Sequence, residues 1–244
     1  MRKLSPRQIV LIAFSYLIAL LAAALLLDSP LIATGPTSNL RRVLADLGPV
    51  EWGQWTMYGL SAIMAASLYG RLAGKQRAPR AQRFWLLMAL FFIWCLIEDA
   101  GNQRWVLGGY VRVLFGGRSH DWTSVVYMTA LGAFGALTLW RYRDVVWGVR
   151  ASRSYLVTGL ALFALSAGLA EVTLRFVTLV FNPPYSLIHT PLILGMDLDY
   201  LEEILEFSGA AFMMTAFYAH WLAAFSPSFR RKLSVEERDR ARPS

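Results

Sequence analysis

Six long apolar stretches punctuated by short polar ones dominate the chain: Gln8–Leu27, Trp52–Leu72, Phe84–Ile97, Trp122–Trp140, Tyr155–Phe181 and Leu198–Phe225. None shows the apolar–polar alternation of a strand, and helices satisfy their own backbone hydrogen bonds where water is absent. Most approach or exceed the roughly 20 residues that carry a helix across a bilayer. The pattern predicts an all-α polytopic membrane protein, a bundle of six transmembrane helices at about 8–27, 52–72, 84–100, 122–141, 155–181 and 198–225. Residues 1–225 then form one transmembrane domain and 226–244 a basic tail. Trp52, Trp55, Trp85, Trp122, Trp140, Trp147, Tyr155 and Trp221 lie near the ends of these stretches, as in an interfacial aromatic belt. The first run is too long for a signal-peptide core and lacks a small-residue cleavage site, so it reads as a retained helix.

Between the second and third runs, between the fourth and fifth, and at both ends of the chain lie 18 of the 24 Lys and Arg residues, with only Asp144, Glu236, Glu237 and Asp239 among them. With six spans these segments share one side, which the positive-inside rule makes the cytoplasm, so both termini are inside. The expected location is the inner membrane of a bacterial cell, multi-pass. The formal net charge of +8 is therefore a topology signal that also suits anionic headgroups. No aromatic platform interleaves with it, which argues against nucleic acid.

Composition agrees: 56% of residues are hydrophobic, 16% are charged and the mean hydropathy is +0.43. A lone cysteine, Cys95, excludes an internal disulfide and a thiolate metal site, and reads as an inert thiol in an apolar run. The segment from Arg104 to Arg118 is amphipathic, and either lies along the outer interface or continues helix three.

Ionisable residues inside apolar helices cost free energy and mark candidate sites. Span three ends with Glu98 and Asp99, and Asn102 shares a face with Glu98 if the helix continues. Span five carries Glu171 and Arg175, whose spacing also suits a structural ion pair. Span six opens with Asp199, Glu202, Glu203 and Glu206, and a dipole or solvated helix end accounts least well for Glu206, two turns in. If spans three, five and six are neighbours, these groups converge on the outer half. An all-oxygen set such as Glu98, Glu171, Glu203 and Glu206 suits Ca²⁺, Mg²⁺ or Mn²⁺. His220 falls about 21 Å below Glu206 on the same stripe, too far to join it.

The acidic pair closing helix three, Ala170-Glu171 in helix five and Leu201-Glu202-Glu203-Ile204-Leu205-Glu206-Phe207-Ser208-Gly209 in helix six resemble a group of uncharacterised bacterial multi-span membrane proteins with carboxylates in those helices. That group often has a histidine after the helix-three acids, where this chain has Asn102-Gln103. The resemblance implies a shared architecture and brings no activity.

The expected role is binding of a cation or small basic ligand at an outward-facing carboxylate cluster, with proton exchange as an option. One alternative is a membrane enzyme using an acid–base carboxylate pair on a lipid or isoprenoid. Another is a non-catalytic subunit of a membrane complex, its acids facing a membrane-protein partner or a second copy. An enzyme predicts an apolar cavity reaching the acids, and a transporter a polar route continuing inward.

Overall fold

The computed structural model describes residues 4–27, 43, 48–73, 78–101, 103–116, 119–166 and 198–225. Over these residues the protein is all-α, with eight helices and no strand. They are α1 (Pro6–Leu27), α2 (Pro49–Leu72), α3 (Pro79–Gly101), α4 (Gln103–Phe115), α5 (Ser119–Arg141), α6 (Arg143–Val146), α7 (Arg150–Ser166) and α8 (Leu198–Ala224). Five of the six long helices begin within about five residues of the apolar run that predicts them, and α8 begins with its run. Proline opens α1, α2 and α3, where its fixed φ suits a first turn and its missing N–H costs nothing. The second half of the predicted fifth span, with Glu171 and Arg175, lies outside the described residues. The amphipathic segment after α3 is the separate helix α4, which packs chiefly against α5.

Successive long helices alternate in direction, while α2 and α8, which pack together, run the same way: Gln54 meets Glu206 and Arg71 meets Phe225. Tyr218 donates to the Leu4 carbonyl at 3.1 Å while Tyr16 stacks on Phe207, so α1 and α8 are antiparallel. Ser152 meets His220 and Ser166 meets Glu206, so α7 and α8 are antiparallel as well. Trp94 meets Tyr127 and Arg80 reaches the Arg141 carbonyl, which sets α3 against α5. One end of the bundle therefore carries Arg7, Arg71, Arg80, Arg83, Arg141, Arg143, Arg150 and Arg153, with Asp144 paired to Arg80 at 3.1 Å. The opposite end carries Glu51, Glu98, Asp99, Glu202, Glu203 and Glu206.

Helix α8 is the hub, packing on α7, α2 and α1. Two glycines set its spacing from α7. A Cβ on Gly159 would lie 3.0 Å from the Met213 nitrogen and 3.1 Å from the Gly209 carbonyl oxygen. The backbones approach as closely as side-chain-free positions permit, the usual device where helices must nearly touch. Between α8 and α3 the reverse holds. Trp85, Phe92 and Phe217 fill that space with edge-on contacts, Trp85 and Phe92 each meeting Phe217.

His220 closes the basic end. Its Nε2 lies 3.0 Å from Ser152 Oγ and 3.2 Å from the Val146 carbonyl oxygen, under the Trp85 ring. The carbonyl can only accept, and Ser152 already donates to the Val149 carbonyl at 2.8 Å, so the proton sits on Nε2 and the imidazole donates to both. This pair braces α6 and α7 onto α8. It lacks the acceptor nitrogen toward serine that a nucleophile would need.

Helices α1 and α3 are long and apolar enough to cross a membrane. Only 17% and 33% of their apolar windows are buried against protein. Leu11, Ile18, Leu26, Ile63, Val126, Leu137 and Trp140 all point outward.

Gly159→Ala should destabilise the protein by about 1–3 kcal/mol, because backbone atoms cannot swing aside. Gly59→Ala, where an added Cβ meets nothing within 4 Å, should leave stability unchanged or raise it. Thermal unfolding of the purified protein in detergent compares the two.

Candidate functional site

Glu206 sits two turns into α8, where the helix has turned its stripe toward its neighbours. Its Oε2 accepts from Gln54 Nε2 of α2 at 3.1 Å, and its Oε1 accepts from Ser166 Oγ of α7 at 3.2 Å. Gln54 Nε2 also donates to the Tyr58 hydroxyl at 3.1 Å. Gln54, Tyr58 and Ser166 are all buried. A carboxylate removed from water needs donors of this kind, and hydrogen bonds to a charged acceptor are the stronger sort. The amide orientation follows from the partner, since an amide oxygen facing Glu206 would repel it. Gln54 Oε1 and Trp55 Nε1 are buried and meet no hydrogen-bond partner among the described residues.

Beside this knot opens a cavity of about 460 Å³. Its walls are Phe91, Phe92 and Cys95 of α3, Leu131, Gly132 and Gly135 of α5, and Leu160 and Phe163 of α7, with Tyr58 and Met213. Glu98, Asp99 and Glu206 line the same cavity and are its only acids among the described residues. The glycines of α5 divide the work. A Cβ on Gly135 would strike the Phe91 ring at 2.9 Å, so this glycine admits the ring, whereas Gly132 faces open space. Toward the basic end the level below is filled by Phe84, Met88, Phe92 and Phe217, each almost fully buried. No polar route leads inward from the cavity among the described residues.

The structure thus brings Glu98, Asp99 and Glu206 to one cavity, as the sequence suggests. Glu203 lies half-buried one turn earlier on α8, within electrostatic reach of Glu206, Asp99, Glu51 and Glu202. Asn102, Glu171 and Arg175 lie outside the described residues, as does the side chain of Asp199. No three His, Cys, Asp or Glu side chains among the described residues gather into a metal-holding group. Glu98, Glu203 and Glu206 therefore form no such group on their own, and Glu171 is not placed.

Cys95 is a free thiol packed against the hydrophobic core, in keeping with an inert role. It also lines the cavity. Four contributors escape a reading of the sequence: Gln54, Tyr58, Ser166 and Glu51. Glu51 is buried in the first turn of α2 and joins the acidic end. A glutamine and a tyrosine four apart, at positions 54 and 58, are a one-face signal that was there to be read.

These features define a helical protein with a mostly apolar cavity, acidic at one end. No protein-family model, curated protein or solved structure matches the chain.

Gln54→Leu should cost about 1–3 kcal/mol, since it takes one donor from a carboxylate in apolar surroundings. A double-mutant cycle with Glu206→Leu should show a coupling of at least about 1 kcal/mol. Additive losses would mean the bond contributes little.

Proposed function

We propose that the chain is a six-span inner-membrane protein, with both termini in the cytoplasm, that binds a lipophilic organic cation in its acid-ended cavity. The apolar body of the ligand occupies the space between α3, α5 and α7, and its cationic head meets Glu98, Asp99 and Glu206. The observation that carries this reading is the cavity itself: large, aromatic and aliphatic in its walls, with its acids confined to one end.

Several features support the membrane part. The two helices long and apolar enough to cross a membrane, α1 and α3, bury only 17% and 33% of their apolar windows, less than the core helix of a water-soluble protein would. Outward-facing leucine, isoleucine, valine and tryptophan recur on α2 and α5. Helices α2, α5 and α8 have 24, 23 and 27 residues, enough to cross the roughly 30 Å of hydrocarbon. The alternating directions of the successive long helices put the described arginines of α1, α2, α3, α5, α6 and α7 at one end, the arrangement that positive-inside topology requires.

A cavity of this size lies within the usual range for small-molecule sites, about 300–1,000 Å³, and is far larger than a bare ion. That favours an organic ligand over Ca²⁺, Mg²⁺ or Mn²⁺ alone. The filled aromatic level below it favours capture from the outer side over passage through. The same cavity also suits a second reading, an enzyme working on a lipid or isoprenoid with Glu206 and a helix-three acid as the acid–base pair. The two readings part on whether a bound amphiphile is released unchanged.

Decyltrimethylammonium, titrated into the protein in a mild detergent, should raise Tm with concentration, and decanol should do so at least tenfold less effectively. Glu206→Gln should weaken the cation's effect about tenfold or more. Gly132→Leu, which fills open space and improves helix propensity, should hold Tm while abolishing the effect. Equal responses to cation and alcohol would remove the carboxylates from recognition. A calcium-dependent rise lost in Glu206→Gln would return the site to metal.

A further inference from the structure

A second cavity of about 650 Å³ lies on the far side of α8, between α1 and α2. It shares no acid with the first, and its walls are almost wholly apolar: Ile9, Ile12 and Ala13 of α1, Met57, Leu60 and Met64 of α2, with Met214 and Trp221 of α8 as its floor. Ile12, Trp52 and Leu60 on its lips remain 56%, 57% and 45% exposed.

Its two ends differ. At the acidic end the groove is shut. Tyr16 donates to the Pro49 carbonyl at 2.7 Å and stacks on Phe207, and Gly53 makes room for both rings, since a Cβ there would lie 2.9 Å from Tyr16 and 2.8 Å from Phe207. Toward the basic end Tyr218 of the floor donates to the Leu4 carbonyl of α1 at 3.1 Å, and the lining reaches Trp221. The stripe of α2 that lines it, Gly53, Met57, Leu60 and Met64, continues in helical register to Arg71. The Arg71 guanidinium sits 4.3 Å above the Phe225 ring, and Phe225 stacks on Trp221 at 4.9 Å. A cation is therefore held just beyond the basic end of the groove by an aromatic stack that begins at Trp221 in its lining.

From this geometry we infer that the α1–α2–α8 groove holds an acyl chain of an anionic phospholipid from the leaflet at the basic end, its phosphate on Arg71. The inference rests on the membrane-spanning reading above. From Phe207 to Trp221 the floor is about 21 Å long, which suits an extended acyl chain entering from the interface. A guanidinium matches a phosphate in shape and charge. The basic ends of the other helices add to the attraction for an anionic headgroup. A helix from a partner, about 10 Å across, does not enter a slot whose walls are bonded together at one end.

The test uses the full chain, purified from membranes and loaded with equal dioleoyl-phosphatidylglycerol and dioleoyl-phosphatidylcholine, with bound lipid counted by native mass spectrometry. The wild type should retain phosphatidylglycerol at least tenfold over phosphatidylcholine. Arg71→Gln should erase that preference while an acyl lipid still binds. Leu60→Trp, which fills the groove, should lose both lipids, and Ile63→Trp, on the same helix but off the groove, should behave as wild type. Equal retention of the two lipids by the wild type, or full retention by Leu60→Trp, would overturn the site. Release of the chain from membranes by alkaline carbonate would instead strike the membrane-spanning reading, so the two failures are separable.

Discussion

A carboxylate two turns inside an apolar helix is the constraint around which this bundle is arranged. Left alone in such surroundings Glu206 would cost several kcal/mol, so donors must be brought to it. They come from two other helices, Gln54 of α2 and Ser166 of α7, and both reach it only if their backbones lie close to α8. The glycine pair supplies that closeness on one side: Gly159 and Gly209 let α7 and α8 nearly touch, and two turns further along α7 Ser166 arrives opposite Glu206. The polar knot and the glycine contact are one device, because losing the close approach strands the donor.

The cavity follows from the opposite choice on the other face of α8. There Trp85, Phe92 and Phe217 stand between helices and hold α3 off. Where that aromatic layer ends, the separation remains but the filling does not, and α5 adds to the gap by offering glycine at 132. Small residues on one side and large ones on the other thus place an empty, apolar volume directly beside a fixed carboxylate. Dense packing below it keeps the basic end rigid, with His220 donating to Ser152 and Val146 to lock the last turns.

Much of this was legible along the chain. The apolar runs marked the long helices, because they are long and lack a strand's alternation, and the described arginines that bracket them lie together at one end of the bundle. The stripe from Glu206 through Ala210, Met213 and Phe217 to His220 was readable at helical spacing; the last four are buried in the folded chain and Glu206 is half-buried at the cavity. What escaped was everything that depends on which helices become neighbours. Gln54 and Glu206 are 152 positions apart, Ser166 and Glu206 are 40 apart, and no local pattern joins them. Ser166 resembled any serine in an apolar helix. Cys95 likewise gave no hint of a cavity, since a void belongs to the arrangement of helices and not to any one of them.

The balance of forces at the acid-ended cavity also bears on the proposed ligand. A buried ion pair roughly breaks even, because removing the ligand's charge from water offsets most of the attraction it gains. Glu206 is already satisfied by two donors, so a cation there would add discrimination more than affinity. Affinity has to come from apolar contact, and the walls offer it: Phe91, Phe92, Phe163, Leu131 and Met213 surround a volume that a small hydrated ion would leave mostly empty. A fully polar ligand would forgo the walls, and a neutral hydrocarbon would forgo the acids. The arrangement rewards a molecule that is apolar along most of its length and positive at one end, and the division of the cavity into those two regions is what the glycine contact and the aromatic layer together create.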